Sequence, residues 1–407
     1  MRISSDYAKP RVSFKGYIID THLQQVPKGS LLSNKEFPAN ALDSFVKNSF
    51  TVFVNQNYRT DSVKKALISN FEGIAWAEKQ KNEVLNSGRS KIDLKPEEIQ
   101  FSKNEIEANM AMINEYKDSD FYKIVAVCQP SKTNGKANNI RNIINQNKDT
   151  IFGLKFNPQE LQLNANSKLY DDYLKLAEEK GLPCLFHSQV NIDYAKGVET
   201  ANLNWSDPQY IYELARRHPK VPVILGHTGA GGPIAHRKAI KILEESIKNN
   251  DALLYADISW MNFENGMASE NPTELLDLIE SMTKLGKEDR ILFGSDGPFG
   301  CYGEKLVKKG NYTISPHEAY ENTITNIKTA IKRKFPEDGH CLIRKIFYDN
   351  ANKLFFKEEP YDPRAIPVRQ RFNKMSKTKI GALTIGGISL AGAIGYYFKA
   401  KHDNIYS

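Results

Sequence analysis

Residues 221–229 read VPVILGHTG and residues 290–298 read RILFGSDGP. Each is an apolar run that stops at a glycine and then presents a polar, chemically capable side chain, His227 in the first and Asp296 in the second. Neither run alternates apolar and polar residues, so both read as strands buried on two faces, as parallel strands are. Working outward, runs of the same kind occupy Tyr17–Asp20, Thr51–Val54, Lys123–Cys128, Phe152–Phe156, Pro183–His187 and Leu253–Ile258. Helix-like patterns such as Leu169–Lys180, Pro208–His218 and Ala235–Asn249 separate them. Eight strands interleaved with helices predict an α/β chain folded as a (β/α)8 TIM-like barrel over residues 1–360. The long charged stretch 61–120 reads as a helical insertion between the second and third strands, placed to cap the barrel mouth.

In such a barrel the C-terminal strand ends share one mouth, where chemistry collects. Those ends carry Asp20-Thr21-His22-Leu23-Gln24, Gly153-Leu154-Lys155, Leu185-Phe186-His187, Gly226-His227-Thr228 and Gly294-Ser295-Asp296. Three imidazoles and a carboxylate at strand ends suit a divalent ion, which binds imidazole nitrogen and carboxylate oxygen. Other features have plainer readings. Gly229–Gly232 suits a sharp turn after a strand or a cradle for an anionic group. His236 reads as a packing or surface residue on the next helix. Trp205 and Trp260 read as pocket lining or core.

The ordered segments DTH (20–22), LPCLFH (182–187), VILGHTG (223–229) and ILFGSDGP (291–298) resemble the amidohydrolase superfamily. The likeness is nearest its amidohydrolase-2 branch, which includes aminocarboxymuconate-semialdehyde decarboxylase and related hydrolases. It covers about residues 16–356. The resemblance implies metal ligands at His22, His187 and Asp296. His227 would stabilise developing charge, and Asp296 would double as the proton-transfer group. The family's first-strand motif is His-x-His, whereas here the second position is Gln24, a neutral amide and a weaker donor. Gln24 is kept in the ligand set. Zinc is the expected ion, with manganese as the alternative. The implied activity is hydrolysis at a carbonyl or related carbon of a small molecule by metal-activated water. Two alternatives stay open: non-oxidative decarboxylation on the same fold, and a degenerate, non-catalytic binding protein. Decarboxylation would need a basic residue near the metal, and Arg216 and Arg217 lie on a helix.

The chain has 407 residues and a formal net charge of +8, with four scattered cysteines and no CxxC pair. That argues against a disulfide scaffold or a zinc knuckle. From Tyr361 onward eight Lys/Arg face two acids, so six of the eight net positive charges sit there. The body is near neutral, and no nucleic-acid partner is expected. Residues 361–379 read as a basic linker, and residues 380–398 run nineteen residues without a charge. As a helix that stretch is ~28 Å long, close to the bilayer core. It is expected to span a membrane as a transmembrane helix, with the body on the cytoplasmic face. The N-terminus has no apolar run of signal-peptide length. A small-molecule substrate is expected, and a homo-oligomer is left open.

Overall fold

The computed structural model describes residues 17–25, 62–70, 105–130, 136–193, 198–199, 204–261, 263–264, 267–297, 308–309, 312–313 and 316–358. The described residues all fall within one compact unit. No helix among the described residues is long and apolar enough to cross a membrane, and residues 361–398 lie outside them.

Eight parallel strands build the body: β1 (Tyr17–Gln25), β2 (Ser62–Asn70), β3 (Tyr122–Cys128), β4 (Ile151–Phe156), β5 (Cys184–Gln189), β6 (Val223–Ala230), β7 (Leu254–Asp257) and β8 (Ile291–Leu292). They pair in chain order. The ring closes because β1 also bonds to the chain just after β8. Thr21 N donates to Phe293 O at 3.0 Å, Gln24 N to Gly297 O at 2.8 Å and Asp296 N to His22 O at 2.7 Å. This is the barrel that the strand-like runs imply. Between the strands lie α1 (Glu105–Tyr116), α2 (Ala137–Gln146), α3 (Asp171–Lys180), α4 (Pro208–Arg217), α5 (Pro233–Asn249) and α6 (Thr273–Lys284). The chain then runs through α7 (Pro316–Lys334) and α8 (Gly339–Arg344).

The second strand corrects the sequence reading. The run Thr51–Val54 lies outside the described residues, and β2 begins instead at Ser62, inside the stretch read as a helical insertion. Lys64 and Lys65 disguise it. Their stems lie along aromatic faces, Lys64 Nζ 4.5 Å from the Tyr17 ring centre and Lys65 Nζ 4.3 Å from that of Phe356. Long cationic side chains cover apolar surface in this way while keeping their charge in water. Within 61–120 the described helix is α1, which packs on β3 as an ordinary barrel helix.

Side chains alternate between two cores. Those at Ile18, Ala66, Ile68, Ile124, Leu154, Phe186, Leu225, Ala256 and Phe293 pack outward with the helices. Those at Ile19, Leu67, Val125, Leu185, Ile224 and Leu292 form a second, inner cluster, joined by the partly buried Phe152 and Tyr255. Every strand contributes one residue to this inner layer, and Ala351 and Phe355 pack into it. Strand alternation then dictates that the next inward positions, two residues on, face the mouth above that layer.

Candidate active site

Two residues beyond the apolar inner layer lie His187 on β5, Gly226 on β6, Asp257 on β7 and Gly294 after β8, and Lys155 lies three beyond Phe152 on β4, whose register with β3 shifts at Val125. On β1 the register with β2 shifts between Asp20 and Leu23. That irregularity accompanies the placement of both His22 and Gln24 in the same buried cluster.

His22 is held from behind. Its Nδ1–H donates to Asp257 Oδ2 at 2.6 Å. Asp257 is buried, which alone would raise its pKa, but the charge and hydrogen bond of His22 outweigh burial and hold it below the usual carboxylate range. Ser259 Oγ donates to the same oxygen at 2.7 Å, so it is left to accept from His227 Nδ1–H at 2.8 Å. On the far side, His187 Nε2 lies 3.0 Å from Gln189 Oε1, whose amide nitrogen is spent on Asn191 Oδ1 at 2.9 Å. Each imidazole therefore donates its outer N–H to a fixed acceptor, the arrangement that orients metal-binding histidines.

The inner nitrogens of the three rings converge, His22 Nε2 beside Lys155 and His187 Nδ1 beside His227 Nε2. His187 Nδ1 and His227 Nε2 face each other at 3.1 Å with no proton left to share. Burial lowers the pKa of His187 to about 3 and drives that of His227 well down, so both rings are neutral at physiological pH. His22 Nε2 lies 3.2 Å from Asp296 Oδ1, another acceptor. Facing acceptors repel unless a cation or proton lies between them. The cation seen there is Lys155, whose Nζ is 2.8 Å from His22 Nε2. Burial pulls its pKa down to about 8, partly offset by the charges of Asp296 and Asp257.

Asp296 is fixed on both oxygens. Oδ1 accepts from Gln24 Nε2 at 2.5 Å, and Oδ2 accepts from Trp260 Nε1 at 2.7 Å. Gln24 Oε1 is buried and has no hydrogen-bond partner. A buried amide oxygen left bare costs about 1–3 kcal/mol. The donor set thus fits a divalent cation. His22, His227 and Asp296 offer ligand atoms all within 4.8 Å of one another, with His187 and the bare Gln24 oxygen beside them. Lys155 currently holds the lone pair of His22 that such an ion would use.

The backbone is strained at these positions. His227 (φ 62°), Thr228 (43°), Trp260 (66°) and Asp296 (54°) all adopt left-handed conformations without being glycine. Such strain costs of order 1–3 kcal/mol per residue and gathers at functional sites. Gly294 is required for a different reason: a Cβ there would collide with Asp257 Oδ1 and sit 2.7 Å from His22 Cβ. Gly231 (φ +124°) turns the chain where a Cβ would strike Val190 O, which supports the turn reading of Gly229–Gly232.

All the predicted site residues meet at one mouth, though with altered neighbours. The tight set contains His227, and His187 reaches it through His227. Trp260 touches Asp296, while His236 is a packing residue, buried with Nδ1 3.0 Å from Thr228 O. Asp257 and Ser259 were not singled out from the sequence. The signal for the first was an aspartate closing the apolar run LLYAD. Lys155 is more central than its sequence context suggested. Arg216 and Arg217 lie on α4 and pair with Asp251 and Asp171.

The family model described as Amidohydrolase (Amidohydro_2) matches residues 95–357, more than half of the chain. That segment includes Lys155, His187, His227, Asp257 and Asp296, while His22 and Gln24 precede it. Among solved structures, 2,6-dihydroxybenzoate decarboxylase from Rhizobium is 16% identical, with 84% of this chain and 100% of that chain covered and a TM-score of 0.46. An uncharacterised TIM-barrel protein from Bordetella bronchiseptica is 12% identical, with 83% and 98% covered and a TM-score of 0.48. The 5-carboxyvanillate decarboxylase from Novosphingobium aromaticivorans, crystallised with manganese and a nitrobenzoic acid ligand, is 11% identical, with 84% and 97% covered and a TM-score of 0.44. No curated protein sequence matches the chain.

Proposed function

The chain belongs to the amidohydrolase family, and from that premise we propose that it is a divalent-metal-dependent enzyme acting on a small molecule at the barrel mouth. One observation carries this reading. Three imidazoles turn their inner nitrogens toward one another beside a carboxylate, and their outer nitrogens are fixed by Asp257, Ser259 and Gln189. His22, His227 and Asp296 would hold the ion, with His187 and Gln24 Oε1 at its edge. Zinc suits the nitrogen-rich set, and the amide oxygen of Gln24 leaves room for manganese.

A bound divalent ion supplies Lewis-acid polarisation and makes water acidic enough to act near neutral pH. Asp296 takes the proton from the attacking water and returns it to the leaving group. Trp260 and Gln24 hold that carboxylate in register. The family resemblance implies charge stabilisation by His227. With its outer proton committed to Ser259, His227 is better placed to hold the ion, and we assign charge stabilisation to Lys155, a buried ammonium at the mouth. Hydrolysis at a carbonyl or related carbon is the first reading. Lys155 also favours the second, non-oxidative decarboxylation, because it is the basic residue near the ion which that reaction needs to bind a carboxylate. Release of CO2, as against acid or ammonia, separates the two.

Metal analysis of the purified full chain is the primary test. About one equivalent of divalent metal is expected, lost in His227→Ala and Asp296→Asn. A metal-free wild type, unchanged in those variants, would reject the proposal. If Gln24→His then created affinity that the wild type lacks, the degenerate, non-catalytic reading would take its place. The uncharged stretch 380–398 supports a tether that holds the enzyme at the cytoplasmic face of a membrane. Liposome flotation of the full chain against a form ending at residue 379 tests it: equal recovery in the lipid fraction would remove the tether.

A further inference from the structure

Alternation along β6 turns Ile224 and Gly226 into the barrel and Leu225 out to the helices, so by the same rule His227 would face outward. It reaches the mouth because the strand bulges there. His187 pairs with Gly226 and Gln189 with Ala230, which leaves Ser188 on β5 opposite His227, Thr228 and Gly229 on β6. Those three consecutive residues are all left-handed, with φ of 62°, 43° and 80°. For a β-branched residue such as Thr228 that conformation is an outlier, and it persists only where the surroundings over-determine it. A bulge beside a functional site re-aims a side chain, and here the side chain is that of His227.

Side chains from three elements fix the bulge. Asp257 on β7 holds one edge: Oδ2 accepts from His227 N at 3.2 Å, and its backbone O accepts from Thr228 Oγ1 at 2.7 Å. Ser188 holds the second. Its Oγ accepts from Gly229 N at 2.8 Å and donates to Gly226 O at 2.7 Å, so one hydroxyl staples both ends of the bulge. His236 on α5 holds the third. Its Nδ1 lies 3.0 Å from Thr228 O, and because a carbonyl only accepts, that nitrogen carries the proton. Ser188 and His236 are both buried, and both bond to the backbone of the bulge rather than to the imidazole it carries.

We propose that Ser188 and His236 are positioning residues that hold the 227–229 bulge left-handed and so aim His227 at the ion. The assignment rests on the reading of the mouth as a metal site and deepens it. Without the two side chains the backbone relaxes toward ordinary strand pairing, in which residue 227 faces the helices and the ion loses a ligand.

Ser188→Ala, His236→Leu and His236→Asn separate this role from packing. The asparagine amide nitrogen, like Nδ1, is bonded to Cγ and can donate to Thr228 O, whereas leucine fills the space without a donor. Metal is stripped from the full chain of each protein, and Co2+ is titrated back while its visible absorption, which reports ligand geometry, is read. Ser188→Ala and His236→Leu are expected to weaken cobalt binding by about tenfold or more and to alter the bands, while His236→Asn stays within about threefold of the wild type and keeps its bands. Melting of the metal-free proteins checks folding on the same samples. Should His236→Leu not fold, Ser188→Ala, which removes one oxygen, decides alone. Wild-type affinity and bands in Ser188→Ala, or in a folded His236→Leu, would overturn the proposal, whatever the melting points. Loss in all three variants alike, without rescue by asparagine, would reduce His236 to packing and overturn its assignment. A wild type that binds no cobalt would refute the metal-dependent reading itself, and the positioning role with it.

Discussion

Two layers inside the same barrel differ sharply although only two or three residues separate them along the strands that carry both. The lower layer, with Ile19, Leu67, Val125, Leu185, Ile224 and Leu292, is apolar and closed by Ala351 and Phe355. The upper layer, with Lys155, His187 and Asp257, joined by His22 and Asp296, is buried except for the half-buried His187 but polar, and it holds facing ring nitrogens, a bare amide oxygen and left-handed backbone. The lower layer supplies stability through dense packing. The upper layer spends some of it to keep reactive groups fixed and desolvated. Binding a cation at the mouth would relieve the repulsion there, whereas the lower layer gains nothing from a ligand.

The largest effect expected is in the upper layer. Asp296→Asn should lower turnover by about 10²–10⁴-fold, with metal content falling in parallel and thermal melting of the metal-free protein unchanged or raised. A melting point lowered as far as a core truncation lowers it would show that the polar layer is structural, breaking the contrast. Next comes Ile224→Ala in the lower layer. A cavity of this kind should cost about 2–5 kcal/mol in a denaturant titration while the folded fraction keeps its metal stoichiometry. Loss of metal from that variant would mean that the layers are not independent.

Asp257→Asn sharpens the comparison from behind the ligands. Loss of the acceptor that orients His22 should weaken metal affinity by about 10–100-fold, measured by competition with a chromogenic chelator. Unchanged affinity would remove Asp257 from its positioning role. The smallest effect concerns Glu105, outside the barrel. Burial raises its pKa from 4.5, opposed by hydrogen bonds from Gln129, Lys136, Tyr173 and Asn139. Between pH 4.5 and the raised folded value, the folded state binds more proton than the unfolded one, so the stability this group contributes falls as pH rises through that window. Glu105→Gln should flatten that slope in melting curves taken from pH 4 to 7. An unchanged slope would show that another group sets it.

Much of this arrangement was legible beforehand. Seven of the eight strands follow from apolar runs that end in polar residues, because a strand covered on both faces admits few other compositions. The exception, β2, hid behind Lys64 and Lys65, since charge in a sequence does not reveal that its hydrocarbon stem lies on Tyr17 or Phe356. His22, His187, His227 and Asp296 stood out as strand-end residues. Asp257 and Ser259 did not, because their importance lies in what they touch.

The amino-acid order by itself determined the repeat of strand and helix, and with it the single mouth on which the polar strand ends converge. Backbone alternation and the parallel connection leave little freedom there. Tertiary structure alone decided which nitrogen of each histidine points inward, that His227 rather than His187 joins the tight set, and that Lys155 stands among them. Those outcomes depend on contacts between residues as far apart as His22 and Asp257, and on ångström-scale directions of hydrogen bonds, which composition and spacing do not encode.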